Sequence, residues 1–330
     1  MVINLSSERI EVDPLTDETA NFIALANVLD GIREHGLRVH NANHDSTLVT
    51  HLNQKVGNVQ TRPLEADAQR LLRVAWQTEL AARLSESFDD PDLRRIGALS
   101  LPMQAYYALF NARRALSIAA GAPIYSHTSM HKDFANNRVG VLPPPWGIVL
   151  NGDPRSTLDC AMAPNPRGFT PYKFNPMERS HAPEAHLFYA LLIARRWKFE
   201  EARKKWLENN RKHDGSRYVR LPSGKPDELV DGLRPTTVLD FLYELRRRAN
   251  YEKADEFLSS ADDAVVKRYY DGILYLVTSG LLLTEAQIAL FAGTDALEEA
   301  ATTWISRAQR IGSSATRPLK DRLAVIKSVA

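Results

Sequence analysis

The chain is poor in the features that mark the most familiar chemistries. Its 330 residues include a single cysteine, Cys160. One cysteine forms no internal disulfide and supplies no multi-cysteine metal site. No uncharged apolar run reaches the ~20 residues of a membrane span, the richest stretch being Gly272–Leu283. The opening MVINLSSERIEVDP has neither a basic start nor an apolar centre, so it does not read as a secretory signal. Together these absences predict a cytoplasmic protein with no membrane partner. A glycine-rich phosphate loop, G-x-S-x-G, H-E-x-x-H and paired C-x-x-C are missing too, which removes most well-marked enzyme classes. No cofactor and no metal is expected.

What is present is an ordinary globular composition, 44% apolar and 25% charged. Disorder throughout is excluded. The length suits one large domain or two ordinary ones at roughly 100–200 residues each.

Helical periodicity dominates. After a short candidate strand over 2–12, Thr16 or Asp17 can cap a helix with the stripe Phe22, Ile23, Ala26, Leu29 and Ile32, stopping at Gly36. Residues 37–63 read as a polar loop. Leu64–Phe88 forms a second helix, with Leu71, Leu72, Ala75, Trp76, Leu80 and Leu84 on one face. A third starts near Ser100 with Pro102 in its first turn and ends at Gly121. Residues 137–180 are proline-rich and irregular, with short strands such as Gly147–Leu150. Helix resumes at a Ser180 cap with Pro183 in the first turn. After turn-rich 215–235 come Thr237–Leu258, Ala261–Ser279, Thr284–Ala292, Thr294–Ile311 and Pro318–Val329, divided by Gly280, Gly293 and Gly312. The fold class is mostly α, a helical bundle interrupted by an irregular, partly extended insert.

The segment LPMQAYYALFNARRALSIAAGAPIYSHTSMHKDF is the most informative. Small residues at 105, 108, 112 and 115 suit close helix packing, while Tyr107, Asn111, Arg113 and Arg114 add polar heads. This helix, its terminal Gly121 and the following Ser126-His127 resemble the middle helices of HEPN-domain proteins. LRRRANYEKADEFL at 245–258 is similar to their fourth helix. The length and LPMQAYYALFN also resemble the YaaC-like subgroup. The resemblance covers roughly 64–136 and 236–292, and implies this layout: 1–63, a helix and loop on the bundle; 64–136, the first part of the bundle; 137–235, the insert; 236–330, the second part with C-terminal helices.

It further implies nucleic-acid or nucleotide binding, a place in prokaryotic defence or toxin–antitoxin systems, and a homodimer. Ribonucleases of that family pair an Arg with a His four to six residues later. No His follows Arg246, Arg247 or Arg248 in that window. Asn250 or Tyr251 stands there instead, and neither shuttles protons well near pH 7. A relocated histidine is the remaining catalytic option, with Arg246, His127, Arg114 and Asn250 as candidates. The plainer alternative is a solvated or ion-paired helix end.

His127 and His131 share a helix face. With Asp133 they could ligate a metal or move a proton, or else simply cap and pack. His181 and His186 around Glu184 form a similar pair, and His40 and His44 lie in the polar loop.

The net charge of +2 hides a strong asymmetry. Residues 195–225 carry eleven Lys/Arg against four acids, a local +7, leaving −5 elsewhere. Arg195, Arg196, Lys198, Arg203, Lys204, Lys205, Trp206, Arg211 and Lys212 are the candidate nucleic-acid contacts, since cations neutralise phosphates and aromatics stack on unpaired bases. The alternative is an amphipathic helix with a wet basic face. An RNA or nucleotide ligand is thus the first expected partner. A second subunit docked on the insert or the C-terminal helices is the other.

Overall fold

A computed structural model describes residues 18–40, 44–56, 61–86, 90–164, 172–173, 183–252, 262–310 and 313–329. The candidate strand over 2–12, the caps at Thr16, Asp17 and Ser180, and the side chains of His40, His44, His181 and Tyr251 lie outside the described set.

Eleven α-helices and four short strands appear among the described residues, so the protein is mostly α with an extended insert. In chain order the helices are α1 (Glu18–His40), α2 (His44–Val56), α3 (Ala66–Glu86), α4 (Pro91–Ala119), α5 (His127–Asp133), α6 (Pro183–Asn209), α7 (Lys225–Asp231), α8 (Val238–Arg247), α9 (Asp263–Ala292), α10 (Thr294–Ala308) and α11 (Arg317–Val329). A π-helical turn, Arg248–Glu252, extends α8.

α3 and α4 pack side by side, and α4 and α1 both lie against the central α9. A single apolar core runs from Phe22 to Ile326 through all of these. α9 is long and apolar enough to cross a membrane, yet 78% of its most apolar window is buried inside the protein. Burial on several sides explains its nearly continuous hydrophobicity.

Several boundaries differ from the sequence reading. Residues 37–63 are not one loop, for α1 runs past Gly36 to His40 and α2 occupies 44–56. Leu48, Val49 and Leu52 bury one face of α2, and packing outweighs its polar composition. α4 begins at Asp90, whose carboxylate accepts from the Asp92 and Leu93 amides, so Pro102 lies inside the helix. Pro102 has no N–H for the Ala98 carbonyl. Tyr269 Oη donates to that oxygen instead, at 3.4 Å. Gly280 does not divide α9; a side chain there would strike Trp146 and Leu109. Gly121, at φ +74°, does end α4. Within 215–235 the chain forms the short α7.

The insert contributes three strands of an antiparallel sheet in the order β3 (Tyr172–Lys173), β2 (Cys160–Pro164), β1 (Ile148–Gly152), β4 (Thr236–Thr237), the last strand coming from the residues that follow the insert. Val149 opposes Ala163 on one side and Thr237 on the other. Trp146 pins the insert to the bundle by donating to Ser279 Oγ at 3.0 Å. β4 leads directly into α8, so the sheet sets where α8 begins.

Candidate functional site

Three helices bring their polar side chains to one place. α4 contributes Tyr106, Tyr107, Phe110 and Arg114, spaced to share a face. α5 is capped by Ser126, which accepts from the Ser129 amide at 3.1 Å, and presents His127 and His131 one turn apart. α8 contributes Asp240, Tyr243 and Arg246 at three-residue intervals. Its start is a capping box in which Thr237 and Asp240 bond each other's backbone.

The central group is the Tyr106 hydroxyl, 2.7 Å from His127 Nδ1 and 3.0 Å from His131 Nε2. On its far side His131 Nδ1 lies 2.8 Å from Asp240 Oδ1, a close contact whose N–H does not point squarely at the oxygen. Asp240 Oδ2 accepts from Lys198 Nζ at 2.7 Å and from the Thr237 amide at 2.9 Å, and Arg234 also reaches the carboxylate. Burial alone would raise the Asp240 pKa, but Lys198, His131 and Arg234 outweigh it and hold the group well below the usual carboxylate range. Burial pushes Lys198 down to about 8 against the pull of Asp240.

Burial likewise lowers His131, although Asp240 opposes the shift. His127 is lowered by burial and then by the charges of Arg246, His131 and Arg114. Both shifts favour the uncharged ring. His127 stacks on Phe110 at 4.1 Å between ring centres and leaves Nε2 without a partner among the described residues.

Arg246 is only 9% exposed. Its guanidinium lies 4.9 Å from the Tyr243 ring centre and 5.5 Å from those of Tyr106 and Tyr107. Nη1 donates to Tyr107 Oη at 2.8 Å, while Nε is buried and has no partner among the described residues. Arg114 sits over Phe110 and the exposed Tyr125, and its buried Nε likewise has no partner among the described residues. The cluster sets one carboxylate, Asp240, against Lys198, Arg234, Arg246 and Arg114. That concentration of cations suits an anion such as phosphate.

Of the four catalytic candidates, Arg246, His127 and Arg114 converge here. Asn250 does not join them; its amide faces Met103 Sδ at 3.5 Å. The neighbouring arginines part ways: Arg247 pairs with Glu244 and Glu201, and Arg248 covers the Trp197 ring at 5.1 Å. Asp133 turns to Arg138 rather than to the histidines, and no group of three potential metal ligands occurs among the described residues. Glu184 approaches His35 at 3.4 Å, while His186 packs on Gly31.

The basic segment divides in two. Arg195, Arg196 and Lys198 are not surface contacts, which corrects the sequence expectation. Arg195 donates to the carbonyls of Gly152 at 2.7 Å and Arg234 at 3.0 Å, Arg196 to that of Pro154 at 2.9 Å, and Lys198 to Asp240. They tie α6 to the sheet because buried carbonyls and a buried carboxylate need donors. Lys204, Lys205, Arg211 and Lys212 are exposed, and Arg203 pairs with Glu200. An open groove of about 770 Å³ lies here, with Lys204, Lys205, Arg217 and Arg247 set among Glu200, Glu201, Glu208 and Glu244. Trp206 sits 5.0 Å from Tyr218 between ring centres.

The sequence reading missed Asp240, Tyr243 and the use of Tyr106. Thr237-x-x-Asp240 is a visible capping signal, but nothing local announces that its carboxylate also meets Lys198 and His131. Compared with family models, curated proteins and solved structures, the chain matches none.

Proposed function

We propose that this protein binds RNA and cleaves it without a metal, using His127 as the proton acceptor and Arg246 with Arg114 as the phosphate-holding cations. The observation that carries the reading is convergence: His127, with an open Nε2, stands beside Arg246 and Arg114, neither of which pairs with a carboxylate among the described residues. RNA supplies its own nucleophile. The ribose 2′-oxygen bonds to phosphorus as its proton passes to His127 Nε2, the P–O5′ bond breaks, and the departing 5′-oxygen takes a proton from solvent. The products are a 2′,3′-cyclic phosphate and a 5′-hydroxyl. Arg246 and Arg114 offset the charge that gathers on the phosphoryl oxygens.

A place in prokaryotic defence or a toxin–antitoxin pair, and action as a homodimer, rest on the HEPN resemblance of the middle helices. In a second reading the protein binds nucleic acid without cutting it. The missing histidine after Arg246 and the exposed Lys204, Lys205, Arg211 and Lys212 favour it.

The test is incubation of single-stranded RNA with the protein and with His127→Ala, each with and without a chelator. Cyclic-phosphate ends that persist with chelator and vanish in the folded variant are expected. An inert wild type overturns cleavage. Binding that weakens steeply with salt would then support the second reading.

A further inference from the structure

We infer that Tyr106, His131 and Asp240 are positioning residues that fix the proton of His127 on Nδ1, leaving Nε2 as a lone pair facing outward. This rests on the reading of His127 as the proton acceptor. The juxtaposition behind it is a continuous run of close polar contacts from a buried carboxylate to a surface imidazole: 2.8, 3.0 and 2.7 Å in succession.

The Asp240 charge beside His131 fixes the direction of the two hydrogen bonds through Tyr106. Asp240 is ionised among Lys198, Arg234 and the Thr237 amide, so it only accepts. The His131 proton is drawn to Nδ1, the nitrogen beside that carboxylate. His131 Nε2 then has no proton and must accept, so the Tyr106 hydroxyl donates to it. With its one proton committed, Tyr106 Oη can only accept from His127, whose Nδ1 must carry the N–H. The opposite assignment would set the lone pairs of Tyr106 Oη and His131 Nε2 against each other at 3.0 Å. Tyr106 and His131 are both buried, so water does not offer either group another partner.

The same chain serves the protonated state. When Nε2 takes a proton, the imidazolium keeps donating through Nδ1 to Tyr106, and the Asp240 charge lies behind it beyond Tyr106 and His131. This is the logic by which an acid orients a catalytic histidine, with a tyrosine and a second histidine inserted. A free neutral imidazole has no such constraint.

Nitrogen-15 NMR of histidine-labelled protein reads the tautomer directly and does not depend on cleavage. Wild type is expected to show neutral His127 with hydrogen on Nδ1. In Asp240→Asn the amide donates to His131 Nδ1, each link reverses, and the His127 hydrogen moves to Nε2. Tyr106→Phe keeps the ring packing and removes the connection, so His127 loses its fixed tautomer there. In both variants cleavage falls on the order of 10²-fold or more, the scale of a misprotonated general base. A His127 Nε2–H tautomer in the wild type overturns the inference, as does an unchanged tautomer in Tyr106→Phe. If Asp240→Asn fails to fold, Tyr106→Phe decides. An Nδ1–H tautomer in a protein that cleaves nothing would retain the relay and reject the ribonuclease.

Discussion

Two buried ion networks among the described residues differ in how they end. One joins α11 to the bundle. Arg322, 1% exposed, donates to Glu79 at 2.8 and 2.9 Å and to Glu285 at 2.8 and 2.9 Å. Trp76 Nε1 donates to Glu285 at 2.8 Å, and Arg83 donates twice to Glu79, at 3.0 and 3.1 Å. Two carboxylates meet two guanidinium groups, and the network closes on itself. The other begins at Asp240, passes through His131 and Tyr106, and ends at His127 on the surface with Arg246 and Arg114 only partly satisfied. Closure suits a staple, because a buried charge with every bond made has nothing left to offer a ligand. An unfinished, net-positive network does have something to offer.

The difference between the two can be broken most severely at Arg322. Arg322→Met strands two buried carboxylates and should cost about 3–5 kcal/mol, seen as a lower urea midpoint, with no specific effect on RNA cleavage per folded molecule. A loss under about 1 kcal/mol would mean that the closed network is not a staple. His127→Ala should do the reverse. Cleavage falls by about 10²–10⁴, while the urea midpoint stays nearly that of the wild type because the side chain is partly open to water.

Acid should separate the networks too. Burial holds the His131 and His127 pKa below the ordinary 6.5, so the unfolded chain binds more protons as the pH falls through that value. The stability carried by the neutral rings is complete above 6.5 and is lost toward acid as the folded values are approached. Asp240 adds a loss below its ordinary 3.8 as pH falls toward its depressed value. In the closed network the two carboxylates differ: burial displaces Glu285 upward, so its protonation in acid does not oppose folding, whereas burial of Glu79 is outweighed by Arg322 and Arg83, which hold it below its ordinary 4.5 and add a loss toward stronger acid. Urea midpoints measured between pH 8 and 5 should therefore fall with acid, and His131→Gln should flatten the slope. An unchanged slope would remove His131 from this role.

The smallest expected effect lies on α6. Lys204→Ala and Lys205→Ala should leave the urea midpoint unchanged and each reduce the salt dependence of RNA binding by about one unit of slope. Arg195→Ala should lower stability and leave that slope alone, because its guanidinium serves carbonyls. A salt slope that moves with Arg195 and not with the lysines would overturn the division of the basic segment.

The helices were legible where apolar spacing was regular, as in α1 and α3, because one buried stripe suffices to define an amphipathic helix; α9 reads as divided at Gly280, whose role is close packing against Trp146 and Leu109. α2 was not legible, since its buried face is only Leu48, Val49 and Leu52. Pro102 misled because the rescue of the Ala98 carbonyl comes from Tyr269, 171 residues away. Within the site, Arg246, Arg114 and His127 could be named from residue type and order. Asp240 could be seen only as a helix cap.

By itself the sequence determined a helical chain, an irregular insert, a basic stretch and a set of residues able to handle phosphate and protons. These follow from periodicity, composition and side-chain chemistry, which are local properties. Tertiary structure alone decided which cations face inward and which polar groups complete one another. Lys198 and Asp240 are 42 residues apart, and Tyr106 and His131 are 25 apart. Burial and distance across helices set the charge of Asp240, the tautomer of His127 and the difference between a staple and a site.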